Sequence, residues 1–129
     1  MAKFKIAQNP TFKAVVDIPR VGAPALQVPF EFKYRDRKEL AALFAGWQDK
    51  VKEDQESFKA KGDDLSLVDI TASHIERQVE QVTELVTGWG FDDKLSSESI
   101  RALVETSAGA GEAIVEAYQK AFSAARLGN

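Results

Sequence analysis

At Asp36 the hydrophobic pattern of this chain changes period, and that change limits what it can fold into. Just before it, Val28-Pro29-Phe30-Glu31-Phe32-Lys33-Tyr34-Arg35 alternates, with Val28, Phe30, Phe32 and Tyr34 on one face and Glu31, Lys33 and Arg35 on the other. Period two is the signature of a half-buried strand. Just after it, Asp36-Arg37-Lys38-Glu39 has the spacing of a capping box, which starts a helix by satisfying orphan backbone N–H groups. Leu40, Leu43, Phe44, Trp47, Val51 and Phe58 then recur at helical spacing. Strand must therefore give way to helix within a residue or two.

Upstream, Phe12-Lys13-Ala14-Val15-Val16-Asp17-Ile18 reads as a strand ended by Pro19, and Gly22 and Pro24 mark a connection of several residues. The two strands predict an antiparallel hairpin. Pro29 lacks an N–H, which predicts an edge strand or one-sided pairing there. A lone hairpin is marginal in water, so its aromatic face is expected to rest on the Trp47 helix. That helix should stop at Gly62, and Gly46 within it suggests a kink or a close contact. A second helix, carrying Val68, Ala72, Ile75, Val79, Val82 and Val86 on one stripe, is expected from about Leu67. A later start at the Ser73–Glu76 capping-box spacing, with Ser66–Thr71 as a short extended piece, is the alternative. Val86-Thr87-Gly88-Trp89-Gly90-Phe91 reads as a helix end closed by a tight glycine turn, with Trp89 and Phe91 pinning it to the core. Trp47 and Trp89 are both expected to be buried. A short helix over Ser97–Thr106, capped by Ser96 or Ser97, and a last helix carrying Ile114, Ala117, Tyr118, Ala121, Phe122 and Ala125 complete the chain. The expected fold is α+β, a hairpin packed on about four helices. It is read as one domain over 1–129, with 1–10 flexible, 11–35 the hairpin, 36–126 helical and the last residues frayed.

Chemistry is hard to place on these residues. The chain has 129 residues, no Cys and a single His, so a zinc site of three or four ligands is not assembled convincingly. His74 is read as a polar-face residue. Asp63-Asp64 and Asp92-Asp93 lack the ligand spacing of a calcium loop and are read as solvated. Gly109-Ala110-Gly111 follows no strand and is a helix break, not a phosphate loop. Catalytic, cofactor and metal residues are therefore expected to be absent. No run approaches the roughly 18 apolar residues of a membrane span, and no signal-peptide core opens the chain. Residues 1–35 carry six basic and two acidic residues, whereas residues 62–129 carry five basic and twelve acidic ones. That asymmetry suits a basic hairpin facing acidic helices, or the steering of a partner or a second copy. Phe30, Phe32 and Tyr34 beside Lys33 and Arg35 have a faint likeness to a base-stacking sheet, but the alternation points aromatics and charges to opposite faces. A small nucleic-acid-associated or regulatory protein is the alternative functional class.

The order of elements resembles the tail assembly chaperones of long-tailed phages and prophages. The likeness is carried by Tyr34-Arg35-Asp36-Arg37-Lys38-Glu39-Leu40 at the strand-to-helix junction, by Val86-Thr87-Gly88-Trp89 with its acidic loop, by Leu95-Ser96, and by Ala113-Ile114-Val115-Glu116-Ala117-Tyr118. The resemblance implies a non-enzymatic factor of the host cytoplasm, absent from the mature virion. It implies the tape-measure protein as partner, with the major tail-tube protein beside it, and no small-molecule substrate, cofactor, specific nucleic acid or membrane. Apolar residues outside the core would form the contact surface, and Val15, Phe58 and Leu65 are the candidates.

Overall fold

The computed structural model describes residues 4–127. Strands β1 (Thr11–Arg20) and β2 (Ala23–Lys33) form the antiparallel hairpin, followed by helix α1 (Arg37–Lys61), a 3-10 turn (Gly62–Asp64), helix α2 (Leu67–Leu85), strand β3 (Val86–Trp89), and helices α3 (Ser97–Thr106) and α4 (Ala110–Leu127). The α+β architecture with four helices is as the pattern predicts. Of the terminal residues expected to fray, Met1–Lys3 and Gly128–Asn129 lie outside the described residues.

Helix starts are set by local chemistry. Asp36 accepts from the Glu39 N–H at 2.8 Å while Glu39 accepts from the Asp36 N–H at 3.0 Å. Ser66 and Asp69 form the same reciprocal pair, which fixes the start of α2 at Leu67 and rules out the later start at Ser73. Ser96 caps α3.

The hairpin is tighter than expected. Arg20 pairs with Ala23, leaving Val21-Gly22 as the whole turn, and β1 continues through Pro19. Gly22 sits at φ 72°, the left-handed region that such a turn requires of its second residue.

Three expectations about the sheet are corrected. First, the Gly88-Trp89 element is no glycine-closed turn. The chain passes from Leu85 straight into β3, Gly88 has no positive φ, and Glu31 pairs with Gly88 and Phe30 with Trp89. Pairing with β2 satisfies the backbone groups that a turn would otherwise have closed. Second, β2 is the central strand of a three-stranded sheet, order β1-β2-β3, and not an edge, although at Pro29 itself the ladder runs on the β1 side alone, the one-sided pairing expected there. Pro29 is tolerated because it faces β1 with its non-bonding side. Its carbonyl accepts from the Gly90 N–H at 2.8 Å on the β3 side, and its missing N–H belongs to that same side. The prolyl ring fills the space there, and a Cβ on Gly90 would stand 2.7 Å from Pro29 Cγ and Cδ. Third, the inner face of the sheet is covered by α4 and α2, not by the Trp47 helix, which packs mainly on α2.

The core lies between that face and the helices. Val16, Ile18, Val28, Phe30 and Phe32 from the strands meet Val79, Val82 and Leu85 from α2, Ile100 and Val104 from α3, and Ile114 and Tyr118 from α4. Phe12, Phe32, Tyr118 and Phe122 form an aromatic cluster with ring centroids 5.0–5.7 Å apart. Trp89 and Phe91 stand edge-on to Phe30 and pack on this core. Both tryptophans are half-buried, short of the full burial expected of them.

Arg35 also departs from the alternation. β2 ends at Lys33, so Arg35 turns inward and is buried. Its guanidinium donates to the Glu84 carbonyl at 2.7 Å and to the Tyr118 hydroxyl at 3.2 Å, and that hydroxyl donates to the Lys33 carbonyl at 2.8 Å. Glu84 is in the last turn of α2, where the helix dipole presents its negative end to the cation. One side chain thereby ties the end of β2 to α2 and α4.

Candidate functional site

Helix α1 packs Leu40, Leu43, Phe44 and Trp47 against the core but leaves part of its apolar face open. At 25 residues it is about 37 Å long, yet Leu43 is its one buried residue. It runs antiparallel to α2, cross-linked at intervals of two turns. Trp47 Nε1 donates to Glu84 Oε1 at 3.3 Å. Arg77 grips Asp54 through two parallel hydrogen bonds of 2.9 and 2.7 Å. Lys61 Nζ lies 3.5 Å from Asp69 Oδ2. The Arg77 hydrogen bonds hold the Asp54 carboxyl below its ordinary value of 3.8, and they raise the guanidinium in turn.

On its other flank α1 faces α4 across an open groove of about 470 Å³, lined by Phe44, Trp47, Val51 and Gln119 with Gln48, Lys52 and Gln55 on the rim. Phe44 and Trp47 stack edge-on at 5.3 Å. Val51 is 43% exposed, so the expected α1 stripe is only partly a core stripe. Gly46 is exposed with nothing near it, and makes neither the kink nor the close contact expected of it. At the far end of the α1–α2 pair Leu67 and Val68 are 78% and 77% exposed. Val68 is thus no member of the buried α2 stripe, which begins in earnest at Ile75.

The three candidate contact residues do not converge. Val15 is exposed on the outer face of β1, whereas Phe58 and Leu65, both half-buried, sit where α1 turns into α2. Phe44, Trp47, Leu67 and Val68 were not among those candidates. The signal for the last two was available: they occupy the first turn of a helix, about two turns short of the run that reaches the core. Phe44 and Trp47 gave no such signal, because an open groove and a closed core draw on the same spacing.

No group of three or more His, Asp or Glu residues among the described residues is placed to hold a metal ion. His74, Asp63, Asp64, Asp92 and Asp93 are all exposed. Phe30 and Phe32 are buried beneath the helices and Tyr34 packs on Phe122, so the sheet offers no aromatic platform to bases. No helix among the described residues is long and apolar enough to cross a membrane.

A well-packed sheet-and-helix core carrying a long, half-clothed helix defines a small protein that works through its surface. The whole of residues 1–129 matches the family described as phage tail assembly chaperone, and the chain belongs to that family. Membership makes it a tail assembly factor. No curated protein and no solved structure gives a significant match.

Proposed function

We propose that this chaperone holds an amphipathic helical segment of the tape-measure protein in the groove along α1, keeping it soluble until tail-tube subunits polymerise around it. The supporting observation is the Phe44, Trp47 and Val51 face, spaced as one side of a helix seam yet left open beside α4. A tape measure is a long helical chain whose apolar faces aggregate unless covered. A client helix laid along α1 meets apolar anchors at helical spacing, with Gln48, Lys52 and Gln55 satisfying its polar rim. The modest groove suits reversible shielding, since the client must be handed on to the tube. The major tail-tube protein is the second partner in this scheme. The site of action is the host cytoplasm, and the chaperone leaves before the virion is complete.

Co-expression with overlapping tape-measure fragments, followed by pull-down at moderate salt, tests this reading. At least one helical fragment should gain solubility and co-purify, and Val51→Glu should abolish its capture without altering the melting temperature. Failure of every fragment, together with salt-sensitive binding of single-stranded nucleic acid at micromolar affinity or better, would move the protein to the alternative class.

A further inference from the structure

The free edge of β1 is self-complementary, and we infer that two copies of this chain pair through it into one six-stranded sheet. In β1 the even-numbered residues Phe12 to Ile18 face β2 with their backbone groups, because Pro29, opposite Val15, directs its own carbonyl to Gly90. Lys13, Val15 and Asp17 therefore direct N–H and C=O away from the sheet. Among the described residues no backbone group bonds to them there. Such an edge is a template for another strand unless it is blunted. Among the described residues the backbone is blunted at one end, where Pro19 has no N–H and its carbonyl accepts from Ser107 Oγ at 2.8 Å, and Lys13 is the one charge that would repel an unmatched basic strand.

Between the open stretch and α4 lies a groove of about 420 Å³, walled on the helix side by Ala113, Ala117, Ala121 and Ala124 with Glu116 and Lys120. Ala14 faces the helix layer yet is only half-buried, which marks the edge as uncovered.

The occupant is fixed by charge. Antiparallel pairing about a two-fold axis at Val15 sets Val15 against its copy, Lys13 against the copy's Asp17, and Asp17 against the copy's Lys13. Each is a hydrogen-bonded pair, exchanging N–H and C=O in both directions. No other antiparallel register places Lys13 opposite Asp17. The edge thus offers a matching partner only to itself, in one alignment, and like a C2 interface it uses the same patch twice. This surface is separate from the α1 groove, so its failure would leave the proposed function standing.

Analytical ultracentrifugation of the purified chain tests the inference. The wild type should self-associate to a dimer with rising concentration. Val15→Pro removes the central N–H on the non-bonding side of the hairpin, and should give a monomer with an unchanged far-UV spectrum. Lys13→Asp and Asp17→Lys each set like charges face to face at both ends of the pairing, and each should weaken association about tenfold. An equimolar mixture of the two, and the double variant alone, should recover wild-type affinity. The charge swaps leave the backbone intact and decide the matter if the proline variant does not fold. A wild type that stays monomeric at its solubility limit, or single swaps that dimerise as the wild type does, would overturn the inference.

Discussion

The two long helices carry apolar residues at similar spacing and meet opposite fates. The C-terminal half of α2 buries Val79, Val82 and Leu85 between the sheet, α3 and α4. α1 buries Leu43 and leaves Val51 43% exposed. The first is held by hydrophobic burial. The second packs only Leu40, Leu43, Phe44 and Trp47 on the core, and along the rest of its length an indole hydrogen bond, a bidentate Arg–Asp clamp and an exposed Lys–Asp pair hold it to its neighbour. Burial of a large apolar side chain contributes roughly 1.5–3 kcal/mol, whereas an exposed ion pair contributes about 0–1 kcal/mol. The sheet with α2, α3 and α4 is therefore a scaffold, and α1 an arm expected to have lower local stability. Apolar periodicity reveals that a helix has a face. It does not reveal whether the same chain covers it.

The largest expected effect lies in the scaffold. Arg35→Ala deletes the strut between β2, α2 and α4, leaving the Glu84 carbonyl and the Tyr118 hydroxyl short of a partner. Removing one member of a buried charged network typically costs about 3–5 kcal/mol. The partners here are neutral, so urea denaturation should show about 2–4 kcal/mol. A loss under 1 kcal/mol would mean the strut is ornamental.

Next comes the sheet. Gly90→Ala drives a methyl into the Pro29 ring, 2.7 Å away. Overpacking of this kind costs about 1–3 kcal/mol. Because the obstacle is the ring, Pro29→Ala in the same chain should return most of that loss. A double variant no more stable than the single one would place the strain elsewhere.

The arm should respond more weakly and with a pH signature. Arg77→Ala should cost about 1–2 kcal/mol at neutral pH. Asp54 lies below its ordinary value in the folded state, held there by Arg77. Its stabilising contribution is therefore fully present above about pH 4 and is lost as pH falls through the lowered folded value. In Arg77→Ala that acid-linked loss should shrink, and a parallel pH profile would contradict the clamp. Smallest of all, Val68→Ser should change stability by less than about 0.5 kcal/mol, because its side chain is exposed and takes no part in the Ser66–Asp69 cap on either side of it.

Much of the fold was legible because capping chemistry is local. Asp36-Glu39 announced the start of α1 and Ser96, one of two candidates, that of α3, whereas the start of α2 was placed from its apolar stripe and its Ser66-Asp69 box went unread beside the Ser73-Glu76 spacing. β3 was illegible for the opposite reason: four residues with one glycine inside and another just after mean strand only when a partner strand is already beside them, and β2 is more than fifty residues upstream. Pro29 argued for an edge, yet the close fit of Gly90 against its ring lets a central strand carry it. Arg35 looked like a solvated charge because alternation was extended two residues past the end of β2. Among the site residues, Val15, Phe58 and Leu65 were chosen as leftovers of the core pattern. The groove itself arises from the gap between α1 and α4, and no spacing along either helix encodes that gap.

Hydrogen–deuterium exchange on the free chaperone and on its complex with a co-purifying client fragment would test the division into scaffold and arm most directly. In the free protein, amides of Arg37–Lys61 should exchange well ahead of those in Val79–Leu85 and Ile114–Tyr118, since few buried contacts hold α1 closed. On binding, protection should rise along α1 from Phe44 to Gln55 and stay unchanged in the scaffold. An α1 as protected as α4 in the free protein, or client protection confined to the sheet, would contradict it.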